Sequence, residues 1–246
     1  AFGIPEYRLP MNVLQHEIEL IVKEGVTIHL NTTVGKDISF DEIKKYADAV
    51  FVTTGTQLPQ RVNIEGEDLN GVIHGLNFLK MINLGKNINI GEKVVVIGGG
   101  NTAIDSARTA LRLGAKKVTI LYRRTQSMMP AYESEVLESV EEGIEIIELT
   151  QPVRFTAGKN GRVNGVECMR MKLGEFDSDG RRKSVPVGGS NFNIEADTVI
   201  PAVSQYADLP FIPAENIGLT PWGTFTVDDD SMMTTMDGVF AGGDVV

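Results

Sequence analysis

The run Val94-Val-Val-Ile-Gly98-Gly99-Gly100-Asn101-Thr102-Ala103, followed by Leu121-Tyr122-Arg123-Arg124, constrains the fold more than any other part of this chain. An apolar strand ends at Ile97 and a helical pattern opens at Asn101. Successive backbone N–H groups and the positive end of a helix therefore converge on one point, which suits a pyrophosphate. Gly98 permits the tight turn, Gly99 continues it, and Gly100 lets a dinucleotide approach the backbone. Ala103 stands where a small residue lets helix and strand pack closely, which completes Gly-x-Gly-x-x-Ala. The context agrees: a buried strand KVVVI, an amphipathic helix from Asn101 to Leu113 with Ile104, Ala107 and Leu111 along one side, a stop at Gly114, and a second strand VTILY.

A site for NAD carries an acidic residue after the second strand, where it takes the ribose hydroxyls. Here that strand runs into Arg123 and Arg124. Two guanidinium forks suit a 2′-phosphate that a carboxylate would repel, so the pattern predicts NADPH. Asn101 and Thr102 are expected to supply hydrogen bonds at the helix start. Asp105 is read as a first-turn acid favoured by the helix dipole.

The 246 residues, 42% hydrophobic and 23% charged, suffice for one large domain or two smaller ones. No charged-plus-apolar leader and no apolar run beyond strand length are present, so a cytoplasmic protein without a membrane span is expected. The net charge of −10 argues against nucleic acid as a partner. Cys168 is the only cysteine, in the alternating segment VNGVECMRMKL. That excludes within this sequence an intrachain disulfide, a CxxC redox pair and a cysteine-ligated iron–sulfur cluster, and Cys168 reads as a packed strand residue. His16, His29 and His74 lack metal-ligand spacing, and no metal site is expected.

Along the chain the patterns alternate between helix and strand. A helix from Met11 to Glu24 carries the stripe Leu14, Ile18, Ile21 and Val22 and ends at Gly25, and a strand Val26–Leu30 follows. Ser39 and Glu42 have capping-box spacing, and Ala49–Thr53 reads as a buried strand ending at Thr54-Gly55. Residues 57–74 read as a connection. A second unit, 75–205, holds the helix LNFLKMIN, the dinucleotide βαβ, a helix from Pro130 or Ala131 to Glu142 and the strand IEIIEL. From Pro152, short alternating stretches separated by Lys159-Asn-Gly161, Asp177–Gly180 and Gly188-Gly189 predict a β-meander or hairpins capping one sheet face. Strand DTVIPAV and the closing GVFAGGDVV complete an α/β pattern.

The order of FGIPEYRLP, LNTTVGKDISFDEI, ADAVFVTTGTQLP, VVVIGGGNTAIDSARTALRLGA, VTILYRRTQSMMPAYESEV and GVFAGGDVV resembles the small subunit of NADPH-dependent glutamate synthase, among the flavoprotein reductases with two dinucleotide-binding domains. The resemblance covers nearly the whole chain. It implies a Rossmann-like NADPH-binding domain with a β-meander (75–205), inserted into an incomplete FAD-binding domain formed by 1–56 and 206–246. Thr54, Gly55, Gly243 and Asp244 would then lie beside the flavin, with Asp244 accepting a hydrogen bond from a hydroxyl. Ser204-Gln205 stands where related sequences carry Gly-Gln, and Met129-Pro130-Ala131 with Glu133 matches a segment near the NADPH site.

The resemblance further implies that hydride passes from NADPH to FAD and electrons then travel through iron–sulfur clusters to a partner. That partner would be the glutamate synthase large subunit or another electron acceptor, with ferredoxin- and pyrimidine-linked reductases containing similar modules. In the family, an FAD glycine loop and a cysteine-rich cluster domain precede the region matched here. Neither lies in this sequence, so the chain is read as a fragment with an incomplete flavin site and iron–sulfur centres only in missing flanks. Uncovered apolar edges near Val50–Val52 and Val239-Phe240 are expected to be met either by self-association or by disordering of the remnant, and the alternative of a nucleotide-binding or subunit-interaction module without turnover stands beside the reductase reading.

Overall fold

A computed structural model describes residues 3–177, 180–212 and 216–246. In chain order the helices are α1 Met11–Lys23, α2 Phe40–Tyr46, α3 Gly75–Asn83, α4 Asn101–Arg112 and α5 Glu133–Glu141. The strands are β1 Val50–Val52, β2 Leu58–Pro59, β3 Lys93–Ile97, β4 Lys117–Leu121, β5 Glu145–Ile147, β6 Thr150–Ala157, β7 Val163–Phe176, β8 Arg182–Pro186, β9 Phe192–Glu195, β10 Thr198–Pro201, β11 Gln205–Tyr206 and β12 Val239–Ala241. The chain divides into two compact units, Ala1–Met11 with Pro59–Ser204 and Asn12–Leu58 with Gln205–Val246.

The first unit is built on a four-stranded parallel sheet in the order β10-β3-β4-β5. The run KVVVI forms its centre because alternate side chains serve opposite faces, and both faces are covered. Val94 and Val96 join the core beneath the helices with Phe78, Ile104, Ala107 and Ile120. Val95 and Ile97 join a second core with Phe155, Val166, Cys168 and Val199, under the antiparallel layer. In that layer β7 pairs with β6 along one edge and with β9 and β8 along the other, as the turn spacing predicted. Part of the predicted turn Asp177–Gly180 lies outside the described residues. Cys168 is fully buried and burial pushes its thiol up to about 12, which leaves it unreactive at neutral pH. Residues from the stretch read as a connection pack here too: Val62, Ile64, Leu69 and Val72 lie against this core, and Phe155 N donates to Glu65 O at 2.8 Å.

Charged residues secure the helical layer. Arg108 of α4, almost wholly buried, bonds Glu142 at 2.7 Å and Glu138 at 2.9 Å and also pairs with Glu135, all on α5 or at its end. Arg112 reaches Glu142 at 2.8 Å. From the amino-terminal segment, Tyr7 lies under the Arg108 and Arg112 guanidinium groups at 4.9 and 4.3 Å, and its hydroxyl donates to Asp105. Arg8 donates to the same carboxylate at 2.6 Å and meets Glu135 at 3.0 Å. Asp105 is thus a buried ion-pair partner and lies beyond the first helical turn, so the dipole explanation of its position is replaced by this pairing.

The second unit has a small core around Phe40, Val52, Ile212, Ile217, Phe225, Val239 and Val245. Its β1 and β12 pair in parallel, and the capping box forms in both directions, Glu42 N to Ser39 Oγ and Ser39 N to Glu42 Oε2. Helix α1 forms as its period predicts, yet none of its residues is buried. The strand expected at Val26–Leu30 does not form, and Val26, Ile28 and Leu30 are exposed. A strand exists only as a ladder, and no described segment pairs with these residues.

The bond from Arg108, with that from Arg112, holds the Glu142 carboxyl down at about 2. A depressed carboxylate contributes stability above its unfolded pKa and loses it as pH falls toward the folded value. Glu142→Gln is expected to destabilise the first unit by roughly 1–2 kcal/mol at pH 7 once solvent screening is allowed for. The gap in urea midpoints between wild type and variant should shrink between pH 4.5 and pH 2. An equal gap at both ends of that range would remove the electrostatic account.

Candidate functional site

The register of the parallel sheet brings four chain exits to one edge, because Ile97 lies beside Leu121 and Pro201, and Leu121 beside Ile147. Ligands of open α/β sheets bind at this carboxyl edge. The glycine turn leaves β3 there and Tyr122–Arg124 leaves β4 there.

Each glycine of the turn has a separate reason. Gly98 adopts φ +143°, and a Cβ on it would stand 2.2 Å from the Ala202 carbonyl oxygen and 3.3 Å from Ala103 Cβ. Its constraint is the packing of β3, β10 and α4, which also explains the fully buried Ala103. A Cβ on Gly99 would meet the Tyr122 ring at 2.5 Å. Gly100 differs: its φ of −90° suits any residue, and a Cβ there would meet nothing within 4 Å. Gly100 is also the N-cap of α4, and no side chain caps the helix there. Open space therefore lies at a positive helix end, a cradle that fits a phosphate group.

The neighbouring residues brace this turn. Asn101 Oδ1 accepts from Tyr132 N at 3.1 Å, and Gly99 O accepts from Ala131 N at 3.1 Å, so the segment Met129–Tyr132 is tied across the helix start. Thr102 places its methyl group against the start of α3, where a side chain on Gly75 would stand 3.2 Å away. The two arginines after β4 part company. Arg123 is exposed, with no ion pair among the described residues. Arg124 is buried, donating from Nε to Arg182 O at 2.7 Å and pairing with Asp177 at 3.3 Å.

In the second unit the ends of β1 and β12 lie side by side, with Val52 opposite Ala241 and Gly242 N donating to Val52 O at 3.2 Å. Thr54-Gly55 and Gly243-Asp244 follow these ends. Gly55 and Gly243 have φ of +66° and +78° with no neighbour where a Cβ would stand. Thr54 and Asp244 are exposed. Ser204, in the first unit, accepts from Gln60 N at 2.9 Å. In the second unit, Thr56 Oγ1 donates to Gln205 Oε1 at 3.4 Å.

The sequence reading missed the part played by Tyr7, Arg8 and Arg108 in holding α4. A signal was present: Asp105, Arg108 and Arg112 recur at i, i+3 and i+7, as do Glu135, Glu138 and Glu142. Arg108 and Arg112 are the complement of the Glu stripe, while Asp105 is met by Arg8.

The family of pyridine nucleotide-disulphide oxidoreductases matches residues 7–246, and the chain belongs to it. It is 46% identical over its full length to the β subunit of an NADP(+)-dependent formate dehydrogenase of Moorella thermoacetica, of which it spans 35%. The NADPH glutamate synthase small chain of Azospirillum brasilense is 38% identical, again over the whole of this chain, which spans 54% of that protein. Mycobacterium tuberculosis FprA, in a structure with NADPH, shares the fold at a TM-score of 0.77 and 17% identity, covering 99% of this chain and 68% of FprA. The likeness to glutamate synthase small subunits seen in the sequence motifs is therefore real, and the fold is that of FAD- and NAD(P)-binding oxidoreductases. No described helix is long and apolar enough to cross a membrane.

The contrast between the glycines is directly measurable. Gly98→Ala is expected to destabilise the first unit by on the order of 3 kcal/mol, since both the backbone angle and the Ala202 carbonyl oppose it. Gly100→Val should leave the circular dichroism spectrum and urea midpoint near wild type while removing dinucleotide binding. Wild-type binding by folded Gly100→Val would show that the cradle lies elsewhere.

Proposed function

We propose that this chain is the NADPH-binding part of a flavin-dependent oxidoreductase that delivers electrons to a partner subunit. The observation that carries the reading is the open Gly100 position at the uncapped start of α4, with the exposed Arg123 following the adjacent strand. When bound, NADPH supplies a hydride through its nicotinamide and FAD accepts it. The chain's own work is to bind and orient. Backbone N–H groups at Gly99–Thr102 receive the pyrophosphate, Ala103 keeps α4 close to β3, and Arg123 takes the 2′-phosphate. Asn101 acts from the side by fixing the segment at Tyr132. In the second unit, Thr54, Gly55, Gly243 and Asp244 stand at the carboxyl ends of paired parallel strands and are assigned to the flavin side, and Ser204 and Gln205 to the returning segment. This assignment rests on family membership and on the open positive-φ turns at Gly55 and Gly243.

The resemblance to glutamate synthase small chains supports reductive glutamate synthesis with a large subunit as the partner. A second reading is favoured by the higher identity to a formate dehydrogenase β subunit, 46% against 38%: the same module serves another electron-accepting partner. Supplying the isolated partner subunits of each type to the NADPH-reduced protein separates the two.

The binding assignment predicts that NADPH is held about ten- to a hundredfold more tightly than NADH, the equivalent of a charge-assisted contact of roughly 1.5–3 kcal/mol. Isothermal titration of both nucleotides tests this. Equal affinities would defeat the assignment.

A further inference from the structure

The two arginines that follow β4 are not equivalent, and the difference assigns them separate tasks. We propose that Arg124 is a positioning residue that fastens the β7–β8 hairpin to the end of β4, and that discrimination of the 2′-phosphate rests on Arg123. The inference rests on the reading of this edge as an NADPH cradle and divides the work within it.

Backbone pairing continues past β4: Tyr122 N donates to Ile147 O at 3.1 Å, Thr150 N to Tyr122 O at 3.0 Å, and Leu149 N to Arg124 O at 3.1 Å. Tyr122 and Arg124 are buried on either side of an exposed Arg123. The inward-facing guanidinium is already engaged. Nε meets the Arg182 carbonyl at 2.7 Å and Nη2 meets Asp177 at 3.3 Å, and only 9% of the side chain is exposed.

The hairpin end that receives Arg124 is itself closed. Arg182 donates from Nε to Gly174 O at 2.9 Å and from Nη2 to Leu173 O at 3.2 Å, while Asp177 N donates to Arg181 O at 2.7 Å and Asp177 Oδ1 accepts from Arg181 N at 2.8 Å. Arg124 bridges this closed end to the parallel sheet. Turning it toward a ligand phosphate would break its contact with the four-fifths-buried Asp177 carboxylate and would deprive the Arg182 carbonyl of a donor. Arg123 has neither cost. Its exposed fork can receive a dianionic phosphate with no ion pair among the described residues to break first.

The two tasks predict different nucleotide profiles. A phosphate ligand affects NADPH alone, because NADH lacks the group it holds. A positioning residue acts on the shape of the edge and affects both nucleotides together.

Isothermal titration with NADPH and NADH on the wild type, Arg123→Ala, Arg124→Ala and Asp177→Asn tests the division. Asp177→Asn breaks the staple from the other side and keeps both arginines. Arg123→Ala should lose about ten- to a hundredfold in NADPH affinity with NADH unchanged. Arg124→Ala and Asp177→Asn should shift both nucleotides by a common factor, keeping their ratio within about twofold of wild type. Hydrogen exchange in β8 should quicken in both variants. The proposal is overturned if Arg123→Ala keeps the wild-type ratio, or if Arg124→Ala collapses the ratio while Asp177→Asn retains it with unchanged exchange. Should Arg124→Ala not fold, Asp177→Asn decides alone: faster exchange with the ratio kept supports the staple, and unchanged exchange overturns it. A wild type without any NADPH preference would instead overturn the underlying cradle reading, an outcome visible before any variant is made.

Discussion

The approach of Gly98 to the Ala202 carbonyl is the constraint on which the first unit depends. Two parallel strands, β3 and β10, reach the same edge, and the backbone leaving one must turn beneath the backbone leaving the other. With 2.2 Å to the carbonyl oxygen there is no space for any side-chain carbon, and φ of +143° lies where L-residues are strained. The turn in turn sets the origin of α4, and Ala103 lets that helix lie close to the strand. Gly100, two residues on, is free of all these demands. The open space at Gly100 is therefore left by the turn and not demanded by it.

The cradle is useful only if α4 is held in place, and that falls to charges that the motif does not contain. Asp105, Arg108 and Arg112 face Glu135, Glu138 and Glu142, with Tyr7 and Arg8 closing the cluster. Arg108 is the centre of this arrangement because its planar fork bonds several carboxylates at once, and Glu142 is held at about 2 mainly by it. Burial pulls Asp105 the other way, raising its pKa against the opposing pull of Arg8. Arg8 and Tyr7 oppose that effect of burial by bonding the same carboxylate, so the amino-terminal segment is part of the helix-positioning machinery.

What could be read from the sequence follows from what each pattern measures. The strands KVVVI and VTILY, the helix after Asn101 and the meander after Pro152 carry their own periods, turns and stops, and each formed within a residue or two of its expected ends. Arg123 and Arg124 were equivalent as letters, because composition records charge and position but not the neighbour that claims a side chain. Asp177 and Arg182 lie more than fifty residues further along, and only the long hairpin brings them to Arg124. The same limit hid the Tyr7–Arg8 cluster, where an amino-terminal segment meets a helix about a hundred residues away.

The second unit shows the complementary limit. Periodicity reports which residues favour burial and is silent about what buries them. In α1 the stripe Leu14, Ile18, Ile21 and Val22 produced a helix, because helical hydrogen bonds close within the segment itself. Val26–Leu30 carries an equally apolar pattern and produced no strand, because a strand's hydrogen bonds must come from a neighbour. The two outcomes from one kind of signal separate local from non-local stabilisation. The same argument explains β1 and β12, three residues each, which hold their form only where they pair with one another. The turns at Gly55 and Gly243 therefore rest on a two-stranded ladder, whereas the Gly98 turn rests on a sheet covered on both faces.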